Sequence, residues 1–540
     1  MKKTRLLMLA GALAVVPSLF AVSGKTMINY IAYEAAFWPK NMPVTPDNYC
    51  RIELNGFLGS SFDTLVFSPM FAFGSMAAVL KSADYPKNSM NAEVKWYGNT
   101  KNGMPELVKA GGDPIALTVK WCREHKKEAV VSLPINLCNS HQYIPTKERP
   151  AGSWYAYLFP TFKAQNTDVL MNGDGKGSCP YSSSFCVDYS SQKVRDKFSA
   201  IACEIAGKYD IDGIMIDFMM SPTIFKSVAV GGTASAKEME QLTTMMNQIK
   251  AACAAASGRL GHKVAFSARV PDSMGYCKDI GINLPAWFEA KMLDYVVYAG
   301  AFQLSPLKDS AEFAKKAGIP YYLSHTVSGI YVYNDSGYSG DDERIPRQSA
   351  ATYAARNREA MLNGFSGCMY SMYQHHEHHI PVPARTPYDE KGNKFADKRY
   401  FVSYTNDRIA GQYLKEWAKH LTCDSLLSNY PVDLAKGIAK RQINVWENFD
   451  ELKKAGKSPE TTLIVEAVIP SGMDTIVSLN GKELKSFKRR AGTQLYKMPA
   501  GLCKFGANEV VIKSKGKNKR GGTIKLGNIA VEVTFPKEGK

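Results

Sequence analysis

Short apolar runs and longer amphipathic runs alternate along most of the chain. Eight of the short runs read as strands, at residues 27–33, 64–68, 129–135, 213–217, 263–268, 293–298, 320–324 and 367–372. Most lack a strict polar–apolar alternation, as strands covered on both faces do. Helical patterns separate most of them. Asp113-Pro114 looks like a cap followed by proline at the first helical position, opening a helix to about residue 127. Ser191 opens another, with Val194, Phe198, Ile201 and Ile205 on one face. Residues 237–257 are helical, 309–317 end at Gly318, and 347–363 end at Gly364, both suitable C-terminal glycines. An eighth helix is expected over 406–421. The first β–α unit is the weakest, because 41–61 carry little helical periodicity.

Alternating strands and helices argue for a parallel α/β fold, and eight such units in about 400 residues fit a (β/α)8 TIM barrel with insertions. The largest insertions, 72–112 and 138–189, follow the second and third strands and are expected to build the rim of the catalytic end. From about Asp424 the texture changes. Between 459 and 536, short β-type runs alternate with turns, and Asn480-Gly481 after an alternating run is a hairpin signal. We expect a small C-terminal β-sandwich of about 110 residues. The domain reading is therefore 1–23, 24–422 for the barrel and 423–540 for the sandwich.

The segment 1–23 reads as a secretory signal peptide: Lys2, Lys3 and Arg5, an apolar run from Leu6 to Phe20, then Ala21-Val22-Ser23 with small residues at the cleavage positions. No cysteine follows the apolar run, which argues against a lipoprotein anchor. The expected location is secreted or periplasmic, with attachment to a cell surface an option. No other stretch is long and apolar enough to span a bilayer. Cys122, Cys203 and Cys253 sit in helical patterns and read as small core residues. Cys179 and Cys186 bracket the turn-rich segment PYSSSF and form the best local disulfide candidate in an exported chain. The eleven cysteines contain no CxxC motif and give no zinc-ribbon signal.

The formal charge of +17 points to acidic partners. Lys485, Lys488, Arg489 and Arg490 fall on one expected hairpin, and Lys513, Lys515, Lys517, Lys519 and Arg520 on another. The signal peptide argues against nucleic acid. Sulfated, sialylated or uronic glycans, or an anionic cell surface, fit the export better, and a merely solvated basic face is the plain alternative.

The chemistry is expected at the C-terminal ends of the strands, the catalytic face of a barrel. Asp217 ends the fourth strand, where an unpartnered carboxylate would be costly to bury. Around it the strand ends offer Glu34 with Trp38, then Asn136, Asn139 and His141, then Arg269 and Asp272, then His325, and finally Tyr373, His376 and Glu377. Two carboxyl groups flanking a glycosidic bond, with aromatic platforms and neutral polar groups to read hydroxyls, are what sugar hydrolysis needs. We expect Asp217 as nucleophile or base and Glu377 or Asp272 as the acid, Glu34 being the reserve. Each strand-end Asn or His has a plain alternative as a loop-holding hydrogen bonder, and Asp217 as a helix cap or an arginine's partner. The catalytic reading expects Asp217→Asn to leave folding nearly intact while turnover falls by orders of magnitude. Four of nine histidines lie in His375-His376-Glu377-His378-His379. Adjacent side chains on an extended segment point in opposite directions, so they do not all converge on one ion. The segment is read as a polar loop over the site, and no metal or other cofactor is expected.

Four segments carry a resemblance: GGDPIALTVKWCREHKKEAVVSL, VDYSSQKVRDKFSAIACEIAGKYDIDGIMIDFMMSPTIF, FSARVPDSMGYCKDIGINLPAWFEAKMLDYVVYAG, and GLCKFGANEVVI near the C-terminus. In these the chain resembles a group of secreted, glycoside-hydrolase-like (β/α)8 barrel proteins with a trailing β-sandwich. The resemblance implies a carbohydrate substrate and a site around Asp217. Relatives often carry an Arg soon after that Asp, where this chain has Met219 and Met220. The DGIMID run is also similar to the strand-four signature of family 18 chitinases, DxxDxDxE. Met215 stands for its middle Asp and Met219 for its Glu, which argues against chitinase-type catalysis. A catalytically silent, glycan-binding barrel is the alternative reading.

Overall fold

The computed structural model describes residues 24–31, 38–39, 42–71, 74–75, 79–83, 100–101, 103–136, 161–171, 186–219, 222–299, 307–326, 350–373, 419–423, 432–434, 437–490, 492–518 and 521–535. Eight parallel strands close into a barrel: β1 (Lys25–Ile31), β2 (Thr64–Ser68), β3 (Glu128–Pro134), β4 (Gly213–Asp217), β5 (Ala265–Pro271), β6 (Tyr295–Ala299), β7 (Tyr321–Thr326) and β8 (Gly367–Tyr373). Each pairs with its neighbours in sequence order, and β8 closes on β1 with Lys25 opposite Gly367 and Met27 opposite Met369. A TIM barrel followed by a β-sandwich is the architecture. All eight expected strands are present.

The local signals act as their chemistry requires. Asp113 accepts the backbone N–H groups of Ile115 and Ala116, capping the helix Pro114–Glu124. Ser235 and Glu238 form a reciprocal capping box at the start of the helix Ala236–Leu260, which ends on Gly261 at φ 74°. The weakly periodic first unit contains the short helix Pro46–Glu53, capped by Thr45. In the helix Gln192–Lys208, Val194, Phe198, Ile201 and Ile205 are all buried against the barrel. Burying each such side chain contributes about 1.5–3 kcal/mol, so this face holds the helix in place.

The second unit has two antiparallel sheets. Its strands are β9 (Lys419–Cys423), β10 (Ile438–Val445), β11 (Glu460–Val468), β12 (Met473–Leu479), β13 (Lys482–Leu484), β14 (Ser486–Arg490), β15 (Thr493–Lys497), β16 (Gly506–Gly516) and β17 (Lys525–Thr534). The larger sheet runs β9-β17-β11-β15-β14, with the two-residue strand Val432–Asp433 also on β17, and the smaller runs β10-β16-β12-β13. Asn480 and Gly481 both have positive φ, 48° and 81°, making the tight turn from β12 to β13.

One expectation is corrected here. Residues 419–421 end no helix; they begin β9, with Lys419 opposite Thr534 and Cys423 opposite Ala530. The long strand β17 offers a free edge, and the extended Lys-His-Leu-Thr-Cys segment satisfies its backbone groups there. The rest of the expected helix lies outside the described residues. Arg358 Nε, from the barrel helix Ala350–Leu362, donates to the carbonyl of Trp446 at 3.3 Å and ties the two units together.

Candidate active site

Side chains alternate along each barrel strand, so parity decides which ones enter the interior. Met27, Val66, Val130, Met215, Tyr295, Val297, Tyr322 and Met369 pack together there as an apolar plug. Two residues further toward the C-terminal ends, the same parity gives Asn29, Ser68, Ser132, Asp217, Ser324 and Ser371, with Arg269 from β5, and all are buried. A polar layer therefore lies on the apolar plug, toward the end where barrel enzymes bind substrate. Ser371 Oγ donates to Asn29 Oδ1 at 3.4 Å within this layer.

Asp217 and Arg269 occupy paired positions on β4 and β5. Arg269 Nη1 donates to Asp217 Oδ2 at 3.1 Å, with the side chains 1% and 2% exposed, respectively. The other carboxylate oxygen, Oδ1, accepts the Met219 N–H at 2.8 Å. Among the described residues, Arg269 Nε, Ser132 Oγ and Ser324 Oγ are buried without a hydrogen-bond partner. Buried donors are normally satisfied, so three such atoms in the polar layer mark a place where a polar ligand or water belongs.

Arg269 was expected just beyond the fifth strand. That strand instead starts at Ala265 and runs to Pro271, which turns Arg269 inward and sets it beside Asp217. Asp272 follows directly and is buried; its carbonyl accepts the Ser310 hydroxyl at 2.8 Å. Its neighbour Cys277 has a thiol held well above the usual range, by burial first and by the Asp272 charge second.

Three expected substrate contacts have other work. Asn136 is fully buried: its amide Nδ2 donates to the carbonyls of Val187 at 2.9 Å and Thr223 at 2.8 Å, and its Oδ1 accepts the Val187 N–H at 3.0 Å. It fastens the segments after β3 and β4 to each other and has little capacity left for a hydroxyl. Trp38 is fully buried, with its indole N–H donated to the Met42 carbonyl at 3.0 Å. Gly103 lies so close beneath the ring that a Cβ there would sit 2.5 Å from it. A stacking platform needs an open face, and this ring has none. His325 shares the parity of Leu323 and Tyr370, which face the helices. Its Nε2–H donates to Asn357 Oδ1 at 2.6 Å, and Asn357 Nδ2 donates to the Tyr370 hydroxyl at 2.7 Å. Burial lowers its pKa to about 4, against the hydrogen bond it donates to Asn357 and with a smaller push from Arg356. It is a neutral side chain wedged between β7 and a helix, one residue out of phase with the mouth.

Glu34, Asn139, His141, His376 and Glu377 lie outside the described residues, as do most of the two large insertions, and so does the side chain of Tyr373. Cys179 also lies outside them. Among the described residues no group of His, Cys, Asp or Glu would hold a metal ion, and no helix is long and apolar enough to cross a membrane. The sequence reasoning missed Asn29, Ser68, Ser132, Ser324 and Ser371. The available signal was a small polar residue two positions after the plug residue of an apolar strand.

No family model and no curated protein matches the chain. Solved structures similar to it include an alpha-L-fucosidase isoenzyme 2 from Paenibacillus thiaminolyticus, at 9% identity and TM-score 0.38, covering 74% of this chain and 51% of that one. The chain thus spans about half the length of that fucosidase. A glycoside hydrolase family 18 N-acetylglucosaminidase from Paenibacillus barengoltzii is 10% identical with TM-score 0.36, over 67% of this chain and 98% of that one. The PgaB (BpsB) glycoside hydrolase domain from Bordetella bronchiseptica is 9% identical with TM-score 0.35, over 64% and 93%. At this distance, what the chain does has to be read from its own residues.

Proposed function

We propose that the chain is an exported glycoside hydrolase whose site lies in the C-terminal mouth of the barrel. The observation that supports it is the polar layer: a carboxylate and a guanidinium side by side, ringed by Asn and Ser side chains, with three buried polar atoms lacking partners. A sugar's hydroxyls would satisfy such donors and acceptors. In this reading Asp217 is nucleophile or base, and Glu377 is the first choice for the acid, with Asp272 and Glu34 behind it. Asn139, His141 and His376 would contact substrate from the loops, and Tyr373 from the end of β8. A carboxyl separation of about 5–5.5 Å would give retention and about 6.5–9.5 Å inversion. The glycan is of the anionic kind, sulfated, sialylated or uronic, in keeping with the basic chain. Removal of about the first 23 residues on export belongs to the same reading.

A second reading has its own support. Both carboxylate oxygens of Asp217 are engaged, by Met219 N–H and by Arg269. A barrel that binds a glycan without cutting it would keep such a pair as structure. A glycan-panel hydrolysis screen on the mature protein separates the two readings. Turnover that vanishes in Asp217→Asn while glycan binding persists supports the hydrolase. Binding without turnover in the wild type supports the silent barrel.

A further inference from the structure

The two basic runs of the second unit are far apart in sequence and lie in different sheets, yet they meet at one place. Asp474, on β12, accepts Arg489 of β14 through both oxygens, Nη1 to Oδ1 at 3.0 Å and Nη2 to Oδ2 at 3.1 Å. Directly opposite Asp474 across the β12–β16 pair stands Lys515. One carboxylate thus anchors an arginine from the larger sheet and faces a lysine from the smaller. Behind it, Thr475 Oγ1 donates to Gln494 Oε1 at 2.7 Å, a second tie between the sheets. Arg489 therefore adds its charge to the outer face of the smaller sheet, where Asp474 and Lys515 stand.

That surface is basic and carries apolar groups. Lys513 and Lys515, two residues apart on β16, are exposed on it. Lys488 is exposed too, but it stands opposite Leu495, one residue out of phase with Arg489, and belongs to the outer face of the larger sheet. Lys513 stands between Ile438 of β10 and Ile476 of β12 on the outer face, and Ile438 is 41% exposed. A bulge in β14 between Ser486 and Lys488 leaves Phe487 58% exposed.

We infer that this surface binds an acidic polysaccharide and attaches the protein to it, apart from the barrel mouth. Lys513, Lys515 and Arg489 offer three charges on one face, and Ile438 and Ile476 offer apolar surface for the C–H face of a sugar. A flat sheet face suits an extended chain. Among the described residues, no helix longer than the six-residue Phe449–Lys454 lies in this unit to seat on a membrane. The inference holds whether or not the barrel turns substrate over.

The test uses the full mature protein and two variants: Lys513→Glu with Lys515→Glu, and Lys488→Glu on the other face. Both leave Arg489 and Asp474 themselves in place. Binding is measured to immobilised polygalacturonate and dextran sulfate, to neutral dextran, to duplex DNA and to vesicles containing phosphatidylserine, at low and at physiological salt. The expected result is binding to at least one acidic polysaccharide that weakens as salt screens it. It should weaken about tenfold or more in the double charge reversal, because screened attraction scales with the charges removed. Lys488→Glu should weaken it by less than about twofold, because its charge lies on the other face. Equal binding to neutral dextran, stronger binding to DNA or vesicles than to either acidic polysaccharide, or wild-type affinity in the double reversal would each overturn the inference. A loss in Lys488→Glu as large as in the double reversal would show that total charge and not this face decides binding, and would overturn it too. Failure of hydrolysis in the barrel leaves every one of these outcomes unaffected.

Discussion

Asp217→Asn tests what the buried ion pair does. At 3.1 Å between Nη1 and Oδ2, the pair attracts with about 5 kcal/mol at an effective dielectric constant near 20. Much of that attraction is offset by the cost of taking both charges out of water, but removing one partner leaves the other charged and buried, at about 3–5 kcal/mol. Asparagine keeps an acceptor for Met219 N–H but leaves the Arg269 guanidinium without a counter-charge. The loss should therefore approach that range, and the sequence-based expectation of nearly intact folding is replaced by a large destabilisation. Arg269→Leu should cost a similar amount, because the carboxylate would retain only one described donor. The double variant Asp217→Asn/Arg269→Leu removes both charges and should recover most of the loss. Denaturant unfolding of the four proteins, read by far-UV circular dichroism, gives the coupling energy directly. If each single change costs under about 1 kcal/mol, or the double variant loses the sum of the singles, the pair does not hold the mouth together and the reasoning fails. Activity is measured on the same proteins at a temperature where all are folded, so that a loss of turnover is not confused with unfolding.

Three further outcomes follow from named contacts. The His325 pKa, lowered to about 4, lies below its unfolded value, so the unfolded chain takes up the proton first as pH falls; stability is complete above about 6.5 and lost toward 4, by about 3 kcal/mol. Unfolding curves across that range should flatten in His325→Gln, and an unchanged slope would contradict the buried neutral imidazole. Gly367 closes β8 onto β1 at φ 150°, where a Cβ would lie 1.9 Å from the Lys25 carbonyl; Gly367→Ala should cost more than about 4 kcal/mol or abolish soluble expression, and a wild-type melting curve would refute this. Asp113→Ala removes a helix cap and the acceptor for the Tyr209 hydroxyl at 2.8 Å; it should cost about 1–2 kcal/mol by denaturant unfolding, with no change in glycan binding.

What the sequence determined by itself was whatever short-range chemistry decides. Apolar runs at 64–68 and 213–217 are strands because no other state buries them along their whole length. Asp113-Pro114 and the Asn480-Gly481 turn act through neighbouring backbone groups only, so their outcome does not depend on the rest of the chain. Asp217 was legible as the residue at which a buried strand stops. Its partner was not. Shifting the fifth strand by a few residues turns Arg269 from a mouth residue into an interior one, and strand ends are weakly specified by local pattern. The same two-residue period sends His325 outward to Asn357 and brings Ser132 and Ser324 inward, a parity that shows only once neighbouring strands fix the register. Asn136 reads alike as a ligand-binding amide or a buckle, and only the positions of Val187 and Thr223, distant in sequence, decide it. Residues 419–423 took the edge of β17 because a free strand edge there, made by residues more than a hundred positions later, needed hydrogen bonds. Tertiary structure decided these points because each rests on a contact between segments far apart in the chain.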